Sequence, residues 1–178
     1  VYALAIAFAF LALAALYESW GLPLAIMLSV PAAVLGALLF TGGMHLFDPL
    51  YVNDVYLQIS LVMLIGLAAK NAILVVEYAD RLFREQGMSL MDAAVGAARI
   101  RLRPIFMTAF SFILGVLPLV FASGVYATAR NIMGVALIGG MLFATLLGIF
   151  LYPALYYLVG RVGGFERRRE RQKTNVQP

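Results

Sequence analysis

A single lysine, Lys70, lies well inside a stretch that otherwise has the composition of a membrane-spanning helix. Residues Val55 to Val76 contain no other charge, and the midpoint of this run falls near Gly66. At a rise of about 1.5 Å per residue, Lys70 lies roughly 6 Å from that midpoint, whereas a snorkelling lysine normally lies near a helix end. A charged lysine near mid-depth costs about 2.5 to 3.5 kcal/mol on insertion scales, so it usually faces protein and has a partner. The pattern favours an ion or proton pathway; a structural ion pair and a lipid-facing lysine are the alternatives.

The acidic residues of the chain do not supply that partner. Glu77 lies on nearly the same helix face as Lys70, but two turns, about 10 Å, along the axis. The other candidates lie near the ends of spans: Glu18, Asp48 and Asp54. We therefore expect the carboxylate to belong to another subunit or to a part of the polypeptide outside this chain. The start at Val1, inside an apolar run and without an initiator methionine, favours a fragment of something longer.

Three other polar residues could line the same interior as Lys70. Asn71 is adjacent but about 100° around the helix, so we expect it to support the site from a different neighbour. Arg101 precedes the fourth predicted span, where it either anchors headgroups or contributes to the cytoplasmic end of a proton route. Thr108 lies two turns further on, and its hydroxyl either belongs to that route or bonds to a carbonyl one turn back. The residues alone leave these alternatives open.

The composition is that of an integral membrane protein. Of 178 residues, 63% are hydrophobic and 12% are charged, and the mean hydropathy is +0.94, which differs from ordinary soluble usage. The absence of cysteine excludes a disulfide framework and a thiolate metal site, and one histidine, His45, cannot form a metal site alone. We expect no metal and no cofactor.

Helices must position these residues. The uncharged runs and their Gly, Pro and charged boundaries predict an all-α membrane bundle over residues 1–160, with five spans at about 1–17, 23–47, 52–78, 104–122 and 132–159. A short cytoplasmic amphipathic helix is predicted at about 89–101, and residues 161–178 are predicted to form a basic cytoplasmic tail. Small residues at helical spacing predict close helix packing: Gly66, Ala69, Ala72, Gly134, Gly139, Gly140, Ala144 and Gly148.

Local signals predict where the helices bend and end. Pro31 is expected to bend the second span, and Gly87 is expected to end the helix that carries Lys70. Ser89 and Asp92 indicate an N-cap. Pro104 is expected to open the fourth span, and residues 123–131 are expected to form a loop or a short amphipathic connection.

The basic residues predict the orientation in the membrane. Five arginines lie in segment 81–103 and six basic residues lie in 161–173, whereas the connections on the other side offer only Arg130. By the positive-inside rule, segment 81–103 and the C-terminus are cytoplasmic and the N-terminal end is on the outer side. The net charge of +4 is therefore a topology signal that also favours anionic lipid. We expect no nucleic-acid partner.

Several sequence motifs of this chain occur in the same order as in a known protein family. They are residues 16–20 (LYESW), 66–77 (GLAAKNAILVVE), 101–108 (RLRPIFMT) and 113–119 (ILGVLPL), followed by Gly134 and the run at 139–141 (GGM). Together they resemble the C-terminal membrane half of resistance-nodulation-division (RND) efflux pumps, closest to the hydrophobe/amphiphile branch of AcrB and MexB type. The resemblance covers nearly the whole chain except the tail, and the loop at 123–131 departs from it.

The resemblance implies a proton-driven drug antiporter, not an enzyme, in the inner membrane of Gram-negative bacteria. Its protomers would form a homotrimer of twelve-helix bundles, of which this chain supplies the last five helices. Lys70 would pair with two aspartates of the missing N-terminal half, and Arg101 and Thr108 would belong to the same relay. A periplasmic adaptor and an outer-membrane channel are the implied partners, and drug-binding residues would lie outside this fragment. The alternatives are a non-transporting membrane scaffold with a structural lysine, or an RND relative that exports metal ions, lipids or protein.

Overall fold

The computed structural model describes residues 2–17, 20–47, 49 and 54–163. These residues form six helices and, among themselves, no strand: α1 (Tyr2–Tyr17), α2 (Gly21–Met27), α3 (Val30–His45), α4 (Val55–Glu85), α5 (Leu90–Val120) and α6 (Ala127–Val162). The predicted all-α membrane class is confirmed. Of the predicted tail, only residues 161–163 lie within the described part of the chain, and Val1, Glu18 and Asp48 lie outside it.

Four helical segments are long and apolar enough to cross a membrane: Gly21–His45, which joins α2 and α3, and then α4, α5 and α6. The first predicted span corresponds to α1, an apolar helix of 16 residues. At about 1.5 Å per residue it is about 24 Å long, shorter than the roughly 30 Å hydrocarbon core of a bilayer. That α1 crosses the membrane therefore remains a prediction. The other four predicted spans have helices of sufficient length.

The second span is interrupted close to the place where Pro31 predicts a bend. Leu28 and Ser29 form a turn between α2 and α3, and Pro31 lies in the first turn of α3. A proline in the first turn removes only an N–H that would be free in any case. The Ser29 hydroxyl donates to the Ile26 carbonyl at 2.6 Å, which satisfies one of the carbonyl groups at the break.

The helix of the fourth predicted span does not begin at Pro104. Helix α5 is continuous from Leu90 to Val120, so the predicted amphipathic helix and the predicted fourth span are one helix with Pro104 inside it. Pro104 has no N–H to donate to the carbonyl of Ile100, one turn back. Ile100 is an exposed residue, so the loss of this bond falls on the outer side of the helix. The separation into two elements is therefore wrong.

The predicted ends at the α4–α5 connection are confirmed. Gly87 has a φ of 73°, the left-handed conformation that commonly follows the last turn of a helix. The Ser89 hydroxyl accepts from the backbone N–H of Asp92 at 3.1 Å and donates to the Asp92 carboxylate at 2.7 Å. Only four residues, 86–89, connect α4 to α5, so the two helices run antiparallel side by side.

Helix α6 is the centre of the bundle, since it contacts α2, α3, α4 and α5. Its glycines make this possible. A Cβ built on Gly140 would lie 2.3 Å from Leu64 Cδ1 of α4, and one built on Gly134 would lie 3.0 Å from the backbone nitrogen of Val120 of α5. The predicted close packing along α6 is confirmed at these positions, and it fixes α4 and α5 against a common support.

The connection between α5 and α6 is shorter than predicted, because α6 begins at Ala127 and includes the last residues of the expected loop. Arg130 donates to the carbonyl groups of Ser123 and Val125 at 3.3 and 3.2 Å. With its amide nitrogen turned inward, the orientation that the surrounding acceptors favour, Asn131 lies 2.8 Å from the Leu119 carbonyl oxygen. Arg130 and Asn131, which are predicted to lie in a loop, therefore lie near the start of α6. From there they donate to carbonyl groups at the end of α5 and in the connection.

Replacing Asn131 with aspartate is expected to destabilise the α5–α6 connection. Its amide nitrogen lies within 3.2 Å of four carbonyl oxygens, and a carboxylate cannot donate to any of them. The loss should be about 1 to 2 kcal/mol, the usual range for polar groups left without partners. Thermal unfolding of the purified full-length protein measures it, with Asn131→Gln as a control that keeps the donor. Equal stability of the aspartate and native proteins would contradict the assigned orientation.

Candidate functional site

Lys70 lies on the exposed face of α4. Ile59, Met63 and Gly66 precede it on this face at helical spacing and are also exposed. A Cβ built on Gly66 would meet nothing within 4 Å. The small residues around Lys70 therefore differ in role: Ala69 and Ala72 are buried within the described bundle, while Gly66 leaves space beside Lys70 on its open side.

No carboxylate of the described residues pairs with Lys70. The two ion pairs found there are Arg81 with Glu77 at 3.9 Å and Arg84 with Asp80 at 2.8 Å. Glu77, the nearest acid on the same face of α4, therefore already has a basic partner one turn further on. Within the described part of the chain, Lys70 presents its amine to the outside of the bundle, at a depth where a cation requires a counter-charge.

Asn71, about 100° around the helix from Lys70, lies on the packed side of α4. It is only 2% exposed, and its Nδ2 atom has no hydrogen-bond partner among the described residues. A buried amide without a partner is costly and commonly marks a functional or water-binding position. Lys70 and Asn71 thus serve different neighbours, as their spacing predicts.

Arg101 contacts α4 through an aromatic ring. Its guanidinium lies 4.7 Å from the centroid of the Tyr78 ring, within the usual range of a cation–π interaction. Its Nε atom is buried and has no hydrogen-bond partner within the described bundle. Tyr78 lies eight residues beyond Lys70, about 12 Å along the helix, so Arg101 is held well below the lysine rather than in contact with it.

The hydroxyl of Thr108 makes a local hydrogen bond to a carbonyl one turn back, which is one of the two alternatives that its position predicts. Its hydroxyl donates to the Ile105 carbonyl at 2.9 Å, and the side chain lies on an exposed part of α5. The donated bond leaves the oxygen lone pairs of Thr108 able to accept. A proton-relay role for Lys70, Arg101 and Thr108 therefore remains a prediction.

Asn71 and Thr108 have equal spacing along their helices from the Tyr78–Arg101 contact. Asn71 is seven residues before Tyr78, and Thr108 is seven residues after Arg101, and seven residues return nearly to the same helix face. Because α4 and α5 run antiparallel from their short connection, both steps lead equally far from the Tyr78–Arg101 contact. The spacing therefore predicts similar levels for Asn71 and Thr108, whereas Lys70 lies on the exposed face of α4.

The structure adds three aromatic and acidic residues that the sequence patterns did not single out: Tyr78, Asp80 and Tyr156. Tyr78 supports Arg101, and Asp80 and Tyr156 face each other between α4 and α6. The neighbours of these three residues depend on the relative positions of separate helices. Residue spacing within one helix does not predict those positions. No group of three or more potential metal ligands occurs in the described residues.

Comparison with known proteins gives these positions a family context. The AcrB/AcrD/AcrF family matches residues 1–160. The toluene efflux pump membrane transporter TtgB of Pseudomonas putida is 51% identical over 164 residues, covering 92% of this chain and 15% of TtgB. The multidrug resistance protein MdtF of Escherichia coli is 48% identical over 159 residues, covering 89% of this chain and 15% of MdtF.

The match extends along most of this chain, although the chain corresponds to a small part of each relative. A third relative, the toluene efflux pump membrane transporter TtgE of Pseudomonas putida, is 44% identical over 170 residues, which are 96% of this chain and 16% of TtgE. The predicted resemblance is confirmed. The chain belongs to the AcrB/AcrD/AcrF family of RND efflux transporters.

Proposed function

We propose that this chain supplies the lysine side of the proton relay in a proton-driven efflux transporter. The observation that carries the proposal is Lys70, an amine in the apolar part of α4 that is exposed on the bundle and has no acidic partner among the described residues. A cation at this depth needs a carboxylate from outside the chain. A carboxylate pair on a neighbouring helix bundle would provide it.

In this mechanism, the ion pair of Lys70 responds to protons. While the partner carboxylates are ionised, they attract the ammonium; when protons neutralise them, that attraction is lost and Lys70 turns to other acceptors. Each protonation state favours a different arrangement of the helices, as required for a two-state switch. Because α4 packs tightly on α6, a displacement of Lys70 moves the helix as a body.

Arg101, Thr108 and Asn71 occupy supporting positions in the proposal. Thr108, exposed on α5, can accept hydrogen bonds as the lysine moves. Asn71, buried with an unpartnered Nδ2 atom, would support the site from the packed side of α4. Arg101, stacked on Tyr78, places a fixed positive charge between Lys70 and the end of α4 that is expected to be cytoplasmic.

The proposed transporter lies in a bacterial inner membrane, with the N-terminal end of this chain periplasmic and its C-terminus cytoplasmic. It uses protons as the coupling ion and needs no other cofactor. The names of the relatives refer to toluene, solvent, antibiotic and multidrug efflux, and we propose apolar drugs and solvents as the cargo here. A homotrimer with a periplasmic adaptor and an outer-membrane channel is the proposed assembly, and the drug-binding residues lie outside this chain.

Proton coupling is tested with the full-length protein in vesicles that contain a pH-sensitive dye. Adding an apolar drug on the side of uptake is expected to release protons down their gradient, and an ionophore that removes the gradient should stop drug movement. Vesicles without protein give the leak rate. Drug transport that continues unchanged after the gradient is removed would contradict the proposal.

A further inference from the structure

Gly66 leaves an open space on the face of α4 that carries Lys70. It lies about one turn before Lys70. It is exposed, and a Cβ built on it would meet nothing within 4 Å. A glycine in the interior of a helix is less favourable than an alanine at the same place. Within the described part of the chain, no contact explains why Gly66 lacks a side chain.

Other glycines of this bundle show what a helix gains from such a position. A Cβ built on Gly36, Gly139 or Gly140 would lie 2.2 to 2.3 Å from a side-chain atom of a neighbouring helix. Each of these glycines lets two helices approach more closely than a larger residue would allow. The same role at Gly66 requires a helix from outside the described residues.

A second open glycine lies on the neighbouring helix α5. Gly115 is exposed, and a Cβ built on it would also meet nothing within 4 Å. It lies 14 residues beyond Arg101, which stacks on Tyr78, whereas Gly66 lies 12 residues before Tyr78. Because α4 and α5 are antiparallel, these spacings predict that the two glycines lie within about 3 Å of one level. A single helix packed along α4 and α5 would therefore meet both.

The charge of Lys70 shows what that helix must carry. Lys70 lies on the exposed face of α4 and takes part in neither of the ion pairs of the described residues. A cation at this depth requires a counter-charge. A helix that touches α4 at Gly66 brings the side chains of its neighbouring turns to the level of the amine. Acyl chains of lipid supply neither a counter-charge nor a close helix contact.

We propose that Gly66 and Gly115 are the places at which a transmembrane helix with the carboxylate partners of Lys70 packs closely against α4 and α5. The inference rests on the proposed proton-driven function and deepens it. Gly66 is a positioning residue, because it sets the distance between those carboxylates and the Lys70 amine. This chain corresponds to 15% of TtgB, and the helix belongs to the remainder of a transporter of that length.

The test compares Gly66→Ala and Gly66→Val in the full-length protein with Gly42→Ala, at an open glycine of α3. Alanine favours a helix over glycine, so Gly66→Ala would raise the unfolding temperature if only lipid lay beside it. Against a packed helix it should lower that temperature, while Gly42→Ala raises it. Gly66→Val should also lower drug export at least about tenfold, because a displacement of about 1 Å at reacting groups can cost more.

The pH dependence of export separates positioning from a general loss of structure. Carboxylates held further from the Lys70 ammonium take up protons more readily. The folded Gly66→Ala protein should therefore reach its half-maximal export rate at a pH about 0.5 unit higher or more. A defect of structure alone would lower the rate at every pH without moving the profile.

A rise in unfolding temperature for Gly66→Ala, as for Gly42→Ala, would overturn the inference. Lower export with an unchanged pH profile would overturn the positioning role. If Gly66→Val does not fold, Gly66→Ala decides by both measurements. If Lys70→Ala stops export while Gly66→Val exports normally, only the packing assignment fails; if Lys70→Ala also exports normally, the proposed function fails.

Discussion

Replacing Lys70 with alanine in the full-length transporter is expected to reduce drug export to the level of cells that lack the protein. The substitution removes the cation on which the proposed carboxylate partners depend, and no other described cation lies near its depth: Arg101 contacts α4 about 12 Å further along. The partner carboxylates, left without a counter-charge, would take up protons and stay neutral. The switch would then remain in one state, with assembly intact.

Three comparisons make this result interpretable. Met63→Ala alters the same exposed face of α4 two turns earlier and should leave export unchanged. Lys70→Arg keeps the positive charge, but its larger planar guanidinium has a different hydrogen-bonding geometry from the compact ammonium, so it should assemble normally without restoring export. Size-exclusion chromatography and drug-resistance assays measure assembly and export. Full resistance conferred by the alanine variant would instead favour a lysine that only fills an ion pair, which could be replaced together with its partner by apolar residues.

The sequence predicts most of the helices because their signals are local. The Ser89–Asp92 cap and the left-handed Gly87 depend on residues within one or two turns, and both occur where they are expected. The break before Pro31 has the same origin. Such features need only short-range sterics and hydrogen bonds, which the residue types specify by themselves.

The errors arise where distant residues decide the outcome. Pro104 carries a helix-opening signal, yet α5 continues through it, because the turns on both sides are buried in a core shared with α4 and α6: Ala97 and Ile105 both belong to it. The sequence predicts too late a start for α6, because Arg130 and Asn131 are polar and their acceptors lie in the preceding connection and at the end of α5. Tertiary contacts override the local preference in both cases.

The candidate site also has some features that the sequence predicts and others that it does not. The depth of Lys70 and its lack of a partner follow from the positions of charges along one helix, and they could be predicted. The stacking of Arg101 on Tyr78 and the facing of Asp80 and Tyr156 depend on how α4 is aligned with α5 and α6. Helical spacing identifies the face of each residue but not the level at which two helices meet.

The position of α6 also depends on its close crossing with α3 at Gly36. A Cβ built on Gly36 would lie 2.2 Å from Phe143 Cβ and 2.9 Å from the carbonyl oxygen of Gly139. These are a backbone atom and the first atom of a side chain, so no rotamer change can relieve the overlap. The helices would have to separate, and α6 would carry its contacts with α4 and α5 along with it.

Gly36→Val is therefore expected to destabilise the full-length protein by about 3 kcal/mol or more, at the upper end of overpacking costs. Gly36→Ala should show a smaller loss of the same sign, although alanine favours a helix over glycine by up to about 1 kcal/mol. Folded yield in detergent and thermal unfolding measure both. Gly42→Ala, in the same helix but with nothing within 4 Å of the added Cβ, is the control.

The control should have the opposite sign, because only the helix preference acts at Gly42. A stability change for Gly36→Ala equal to that for Gly42→Ala would show that α3 and α6 do not approach as closely as the structure indicates. Opposite changes in stability for the two alanine variants would show that the loss at Gly36 comes from the α3–α6 contact and not from the helix preference of alanine. A Gly36→Ala protein that still folds should also export drug more slowly, although Lys70 and Arg101 are unchanged. The reason is that α6 supports both α4 and α5.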